Sequence, residues 1–151
     1  MSAAESLQNF GFLIRDVSRL SAKNFGRHAR ELEITVSQCK VLAYLQRHEG
    51  ISQARLCELT ETEPMTLVRT LDRMEQDGWI ERRADPEDRR AHRLYLREAA
   101  RPVLQRIWKI ADQSRAEALG TLSMSEREQL VGLLQRVHAR LSALDARSDA
   151  R

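Results

Sequence analysis

The sequence predicts a mainly α-helical fold that carries one small β-hairpin. Three observations predict it. Apolar residues recur at spacings of three and four towards both ends of the chain, which is the helix period. In the middle, Ser, Pro and Gly stand where short helices would begin and end. Between Trp79 and Leu96 the apolar period drops to two, that of a half-buried strand.

Leu7, Phe10, Ile14, Val17, Ser21 and Phe25 mark a first amphipathic helix over about 5–29. The run Leu32-Glu-Ile-Thr-Val breaks it, and Ser37 is a candidate cap for a second helix that reaches about His48 and ends at Gly50. Ser52 caps a short third helix with Ala54, Leu56 and Leu59 apolar. "TETEPM" interrupts after Leu59. A fourth helix starts around Glu63, with Pro64 in its first turn, where a missing N–H costs little, and Gly78 stops it. Trp79–Arg83 and His92–Leu96 read as two strands of a hairpin. A fifth helix covers about 98–119, its start bent or delayed by Pro102. Ser123 and Ser125 each stand three residues before a Glu, a doubled capping box ahead of a sixth helix. That helix carries Leu130, Leu133, Leu134, Val137, Leu141 and Leu144, and the last six residues read as frayed. An isolated hairpin is marginal, so this one must lean on helices.

At 151 residues the chain is long enough for one cored domain, and 42% hydrophobic against 31% charged residues reads as globular. The net charge of +3 leans towards an anionic partner. Most of that bias is arginine, which suits bidentate contacts to phosphates and base edges. Cys39 and Cys57 form neither a disulfide framework nor a zinc spacing. The N-terminus lacks a signal-peptide pattern and no window has the apolar length of a membrane span, so a soluble, cytoplasmic protein is expected.

The third and fourth helices, joined by a short turn, fit a helix-turn-helix, whose second helix enters the DNA major groove. On the fourth helix Leu67, Val68, Leu71 and Met74 form an apolar stripe, while Thr66, Arg69, Thr70 and Arg73 share another face. Hydroxyls beside arginines suit base edges and phosphates. The plain alternative is a solvated face on which Arg69 and Arg73 pair with Asp72 or Glu75. The hairpin that follows then acts as a wing, whose tip reaches the minor groove, where negative potential attracts arginine. Its loop, "ADPEDRRAHRLYL", helps place Arg82, Arg83, Arg89, Arg90, Arg93 and Arg97 against only Asp85, Glu87 and Asp88. Asp85-Pro86 can start the turn, and Asp88 is close enough to orient the Arg90 guanidinium.

The run "EPMTLVRTLDRMEQDGWIERRADPEDRRAHRLYL" resembles the recognition helix and wing of the MarR/SlyA family of bacterial transcription regulators, and the flanking helices match its layout over nearly the whole chain. The resemblance implies a single MarR-type domain over 1–151: a winged helix-turn-helix at about 37–97, and dimerisation helices at about 5–30 and 98–146. It implies a homodimer on a palindromic double-stranded DNA operator, most simply a repressor, with no cofactor. Arg69 would be a recognition-helix contact, Asp88 the wing brace, Arg90 the minor-groove arginine with Arg89 beside it. A Thr or Ser often precedes the fifth helix in that family; Arg97 stands here. The family often responds to small aromatic acids between its first, second and fifth helices. In this chain those segments offer Phe12, Arg15, Arg19, Ser37, Cys39 and Trp108, unless Arg15 and Arg19 pair with Asp16 and Trp108 is plain core.

Other classes fit less well. The nucleotide-binding, zinc-protease and nucleophile-elbow motifs are missing, and His28, His48, His92 and His138 are scattered, so no enzyme is expected. A winged helix used only for protein binding would leave the arginines unexplained. A thiol redox sensor would need Cys39, near the start of the second helix, to have a lowered pKa.

Overall fold

The computed structural model describes residues 7–148. In chain order the elements are α1 (Phe10–Ala29), a 3₁₀ turn (Arg30–Leu32), α2 (Val36–Arg47), β1 (Ile51–Ser52), α3 (Gln53–Thr60), α4 (Pro64–Gln76), β2 (Ile80–Ala84), β3 (His92–Leu96), a 3₁₀ turn (Glu98–Ala100), α5 (Arg101–Ala118) and α6 (Met124–Ser148). The mainly α expectation with a hairpin wing holds. By contact the chain falls into two compact units, 1–114 and 115–151, divided within α5.

Local chemistry sets the helix ends, in places differently from expectation. Thr35, not Ser37, caps α2: its hydroxyl accepts the Gln38 N–H at 3.1 Å, while the Gln38 amide accepts the Thr35 N–H at 2.8 Å. The break therefore ends two residues earlier, because Thr35 is extended where Ser37 is already helical. Ser52 does cap α3, accepting the Arg55 N–H at 3.1 Å. Of the two candidate boxes before α6 only Ser123 with Glu126 forms, since Ser125 lies inside the helix. Pro102 delays rather than bends: a 3₁₀ turn precedes α5, and Arg97 before it offers no side-chain cap. Residues 146–148 are helical rather than frayed, and 149–151 lie outside the described residues.

The sheet has three strands in the order β1-β3-β2, all antiparallel, with Ile51 opposite Leu94 and Arg82 also opposite Leu94 from the other side. Two-residue β1 is too short to register as a period in the sequence. It ties the start of the helix-turn-helix to the wing. Leu42, Leu45, Leu56, Leu67, Leu71, Met74, Ile80 and Leu94 are fully buried, so α2, α3, α4 and the hairpin share one core. Val68 is only half-buried, at the edge of the α4 stripe.

α5 joins this core through Leu104, Ile107 and Ile110, whereas most of α1 and all of α6 do not. Residues 7–23 are exposed throughout, including Leu7, Phe10, Leu13, Ile14 and Val17. Along α6 no described residue is buried, and Leu130, Leu133, Leu134, Val137, Leu141 and Leu144 are all exposed. The apolar residues of both faces are exposed. Among the described residues no helix is long and apolar enough to cross a membrane.

Gly50 tests the sheet corner. It has φ +79°, and an added Cβ would lie 3.3 Å from the Tyr95 hydroxyl. Gly50→Ala is expected to destabilise by roughly 1–3 kcal/mol, from left-handed strain plus crowding, and to lower the melting temperature measurably. An unchanged melting curve would show that this corner relaxes freely.

Candidate nucleic-acid interface

The turn between α3 and α4 is short because both of its ends are capped. Glu61 closes α3 in the left-handed region at φ 49°, its N–H bonded to the Cys57 and Glu58 carbonyls. The half-buried Cys57 thiol donates to the Thr62 carbonyl at 2.9 Å. Glu63 then opens α4: its carboxylate accepts the N–H of Met65 at 3.0 Å and of Thr66 at 2.8 Å, and the Thr66 hydroxyl at 3.1 Å. The Met65 and Thr66 N–H groups hold this carboxyl below its ordinary range. Pro64 occupies the first helical position, as expected.

The face of α4 opposite the core carries the predicted side chains. Thr66, Arg69 and Arg73 are exposed and Thr70 is half-exposed. The Thr70 hydroxyl donates to the Thr66 carbonyl at 2.9 Å. Both threonines have therefore committed their protons, and they offer outward an oxygen acceptor and a methyl group. Arg73 pairs with Asp77 at 3.2 Å rather than with Asp72 or Glu75. Those two acids face the wing instead. Arg69 has no hydrogen-bonded acid among the described residues, and its charge is the smallest of the influences that hold the Glu63 carboxyl low.

The six wing arginines divide. Arg82 is largely buried; its guanidinium contacts Asp72 at 2.7 Å, Glu75 at 2.8 Å and the Val68 carbonyl at 3.4 Å, and its N–H reaches Glu75 at 3.1 Å. Arg83 stacks on Tyr95 at 4.0 Å and pairs with Glu81, to which Arg97 also extends at 3.7 Å. Arg93 bonds Asp85 at 2.9 Å and reaches the Gly50 carbonyl at 3.4 Å. Only Arg89 and Arg90, at the tip, are exposed and without an acid among the described residues.

Asp88 braces the tip differently from expectation. It accepts the backbone N–H of Arg90 at 2.9 Å and does not grip its guanidinium, because a two-residue turn closes more readily on main chain than on a long side chain. Asp85 accepts the Glu87 N–H at 2.9 Å, the turn expected of Asp85-Pro86. That bond first, and Arg93 with it, lowers the Asp85 carboxyl below its usual range. The sequence reading missed the Arg82 clamp and the pairing of Asp85 with Arg93, and it placed Glu63 at the start of α4 without its carboxylate cap. Alternation could have found the first, since Arg82 shares the inward face of Ile80.

Two grooves flank α4. One, of about 530 Å³, is lined by Cys57, Pro64, Leu67, Val68 and Arg90 among others; the second, of about 360 Å³, by Thr35, Arg69, Thr70, Arg73 and Trp79. Neither is lined by any of the six expected effector residues. Phe12, Arg15 and Arg19 lie on the exposed part of α1, with Arg19 bound to Asp16 at 3.0 Å. Ser37 is half-buried in the first turn of α2. Trp108 donates to Gln46 at 2.6 Å and lies under Arg47 at 5.8 Å. Cys39 is a core residue, and burial pushes its thiol up to about 11, against the lowered pKa that a redox sensor would need there. Desolvation outweighs the helix terminus. Among the described residues no group of three or more His, Cys, Asp and Glu could hold a metal ion.

A family model for the MarR family matches residues 34–92, from the α2 cap through the hairpin. Over that segment the chain is similar to the MarR family. Members are transcription regulators, not enzymes. The fold is similar to wild-type MarR from E. coli in its apo form, at 26% identity over 84% of this chain and 94% of that one, with a TM-score of 0.74. It is similar to a MarR transcriptional regulator from Methanosarcina mazei Go1, at 21% identity over 91% and 99% of the two chains, TM-score 0.78. A mutant MarR from E. coli complexed with operator DNA also matches, at 24% identity over 91% and 99%, TM-score 0.69.

The division among the arginines is directly testable. Arg82→Ala is expected to cost about 1–2 kcal/mol of stability, reduced from a fully buried pair because Asp72 and Glu75 remain partly solvated. Arg89→Ala should leave thermal unfolding unchanged, and equal losses in the two variants would erase the distinction. The lowered carboxyls give a sign for pH. Their folded-state pKa values lie below the unfolded ones, so their stabilisation is complete above the ordinary carboxylate range and is lost as pH falls through the folded values. Melting temperature should hold from neutral pH to about pH 5 and then decline. Asp85→Asn should flatten part of that acid limb.

Proposed function

We propose that this protein is a sequence-specific DNA-binding transcriptional regulator, acting as a homodimer on a palindromic operator, and that it represses. The observation that carries this reading is the location of uncompensated positive charge. Arg69 on the outer face of α4, and Arg89 and Arg90 at the wing tip, are the arginines of this region that the fold leaves without a hydrogen-bonded acid, while Arg82, Arg83, Arg93 and Arg97 are consumed within the protein. A helix in the major groove with Arg69, Thr66, Thr70 and Arg73 towards the bases, and a wing tip at the minor groove, gives each free arginine a counter-charge. A module for protein binding alone leaves these charges unaccounted for.

The exposed faces of α1 and α6 support the dimer. A long amphipathic helix with one uncovered face is marginal in water, so each requires apolar cover. A two-fold partner supplies it and would set two recognition helices about one DNA turn apart, roughly 34–36 Å. For an effector, exposed Phe12 and Arg15 on α1 offer a ring and a guanidinium without an acid among the described residues, a match for a small aromatic carboxylate. Such a ligand would act by favouring a helix spacing that no longer fits adjacent grooves; a hundredfold loss of DNA affinity requires about 2.7 kcal/mol of differential binding.

Binding to upstream DNA, measured across salt, tests the reading: steep salt dependence is expected. Arg69→Ala should cost about 1–3 kcal/mol on the cognate site and relax preference at one base position per half-site. Arg90→Ala should lower the salt slope by about one. Folded variants that bind like wild type would refute these contacts. Light scattering should give a dimer mass at micromolar concentration, and a monomer mass would refute the assembly. Aromatic acids should raise the melting temperature, with Arg15→Ala abolishing the effect.

A further inference from the structure

The N-terminus of α4 carries the free N–H groups and positive dipole end that ordinarily attract a phosphate. Here the chain has filled that position itself. Glu63 takes the N–H groups of Met65 and Thr66 on its two carboxylate oxygens, and the Thr66 hydroxyl on one of them, at 2.8–3.1 Å. Glu63 is exposed, so its charge is directed outward on the helix end nearest the proposed duplex. A neutral cap such as Ser would have served the helix as well. A carboxylate does something more: it repels a phosphate from this end. It also fixes the Thr66 proton inward, so that Thr66 presents only an acceptor and a methyl group to a base edge. Cytosine and adenine amino groups and the thymine methyl complement those features, whereas phosphate oxygens do not.

We infer that Glu63 is a specificity-determining residue, which lowers affinity for DNA of any sequence and fixes the Thr66 rotamer for base reading. The inference rests on the proposed DNA-binding function and concerns the same helix. It makes the recognition helix dependent on its base contacts, because the usual sequence-independent anchor at the helix end is withheld.

The test compares wild type, Glu63→Ser and Glu63→Asp. Ser retains a good cap without charge, and Asp retains both cap and charge. Each is titrated across salt with the duplex that wild type selects from a random-sequence pool, and with unselected random duplex; thermal melting checks the fold. For Glu63→Ser, affinity for random duplex is expected to rise about twofold to fivefold at low salt, the size of one surface charge interaction. Its salt slope should steepen by up to about one, and the ratio of selected to random affinity should fall. Glu63→Asp should stay close to wild type. A folded Glu63→Ser protein with the wild-type ratio, or with weaker binding to random duplex, overturns the inference and leaves the DNA-binding reading intact. A wild type that selects no duplex overturns both.

Discussion

Arg82 lies between Asp72 and Glu75 of α4 with most of its side chain removed from water, and much of the interface depends on that clamp. It bonds main chain and side chain at once: its own N–H to Glu75, its guanidinium to both acids and to the Val68 carbonyl. The wing is only two long strands and a two-residue third, which alone would be marginal. Anchored by Arg82 on one side of β3 and by β1 on the other, it holds a fixed orientation to α4. Two acids and a carbonyl on one largely buried guanidinium fix its position, which is why the clamp constrains the geometry.

The same clamp explains how charge is distributed. Asp72 and Glu75 could have neutralised the outer arginines of α4, and Arg82 takes them instead. Asp85 is occupied by Arg93, and Glu81 by Arg83 and Arg97. With the acids of the wing stem engaged inward, positive charge remains at Arg69 and at the tip. A local excess spread over six arginines becomes a few uncompensated groups with defined positions. Pairs this exposed contribute little stability, so their main effect is on where the free charge lies.

The apolar faces of α1 and α6 are each exposed over most of their length. The winged helix-turn-helix buries its own leucines to near zero exposure, so the contrast is not a general looseness of packing. It separates a part with a buried core of its own from helices whose apolar residues are exposed.

Much of this was legible in the sequence because local chemistry fixes it. The helix periods, Pro64 and Glu63 at the start of α4, Ser52 before α3 and the switch to period two at the hairpin each act over a few residues, and each reappears in the structure. The candidate DNA face of α4 was also legible, since a buried stripe of Leu67, Leu71 and Met74 necessarily turns Arg69 and Arg73 outward. What the tertiary structure alone decided was which charges find partners. Arg82 and Arg90 are the same residue type in one short run, yet one is enclosed by acids from α4 and the other faces solvent. Cys39 likewise stands near a helix start that would favour a thiolate, and only the packing of the surrounding core shows that desolvation wins. Spacing along a chain orders neighbours within a turn or a strand pair. Partners brought from another element, and the water they exclude, depend on how the elements pack.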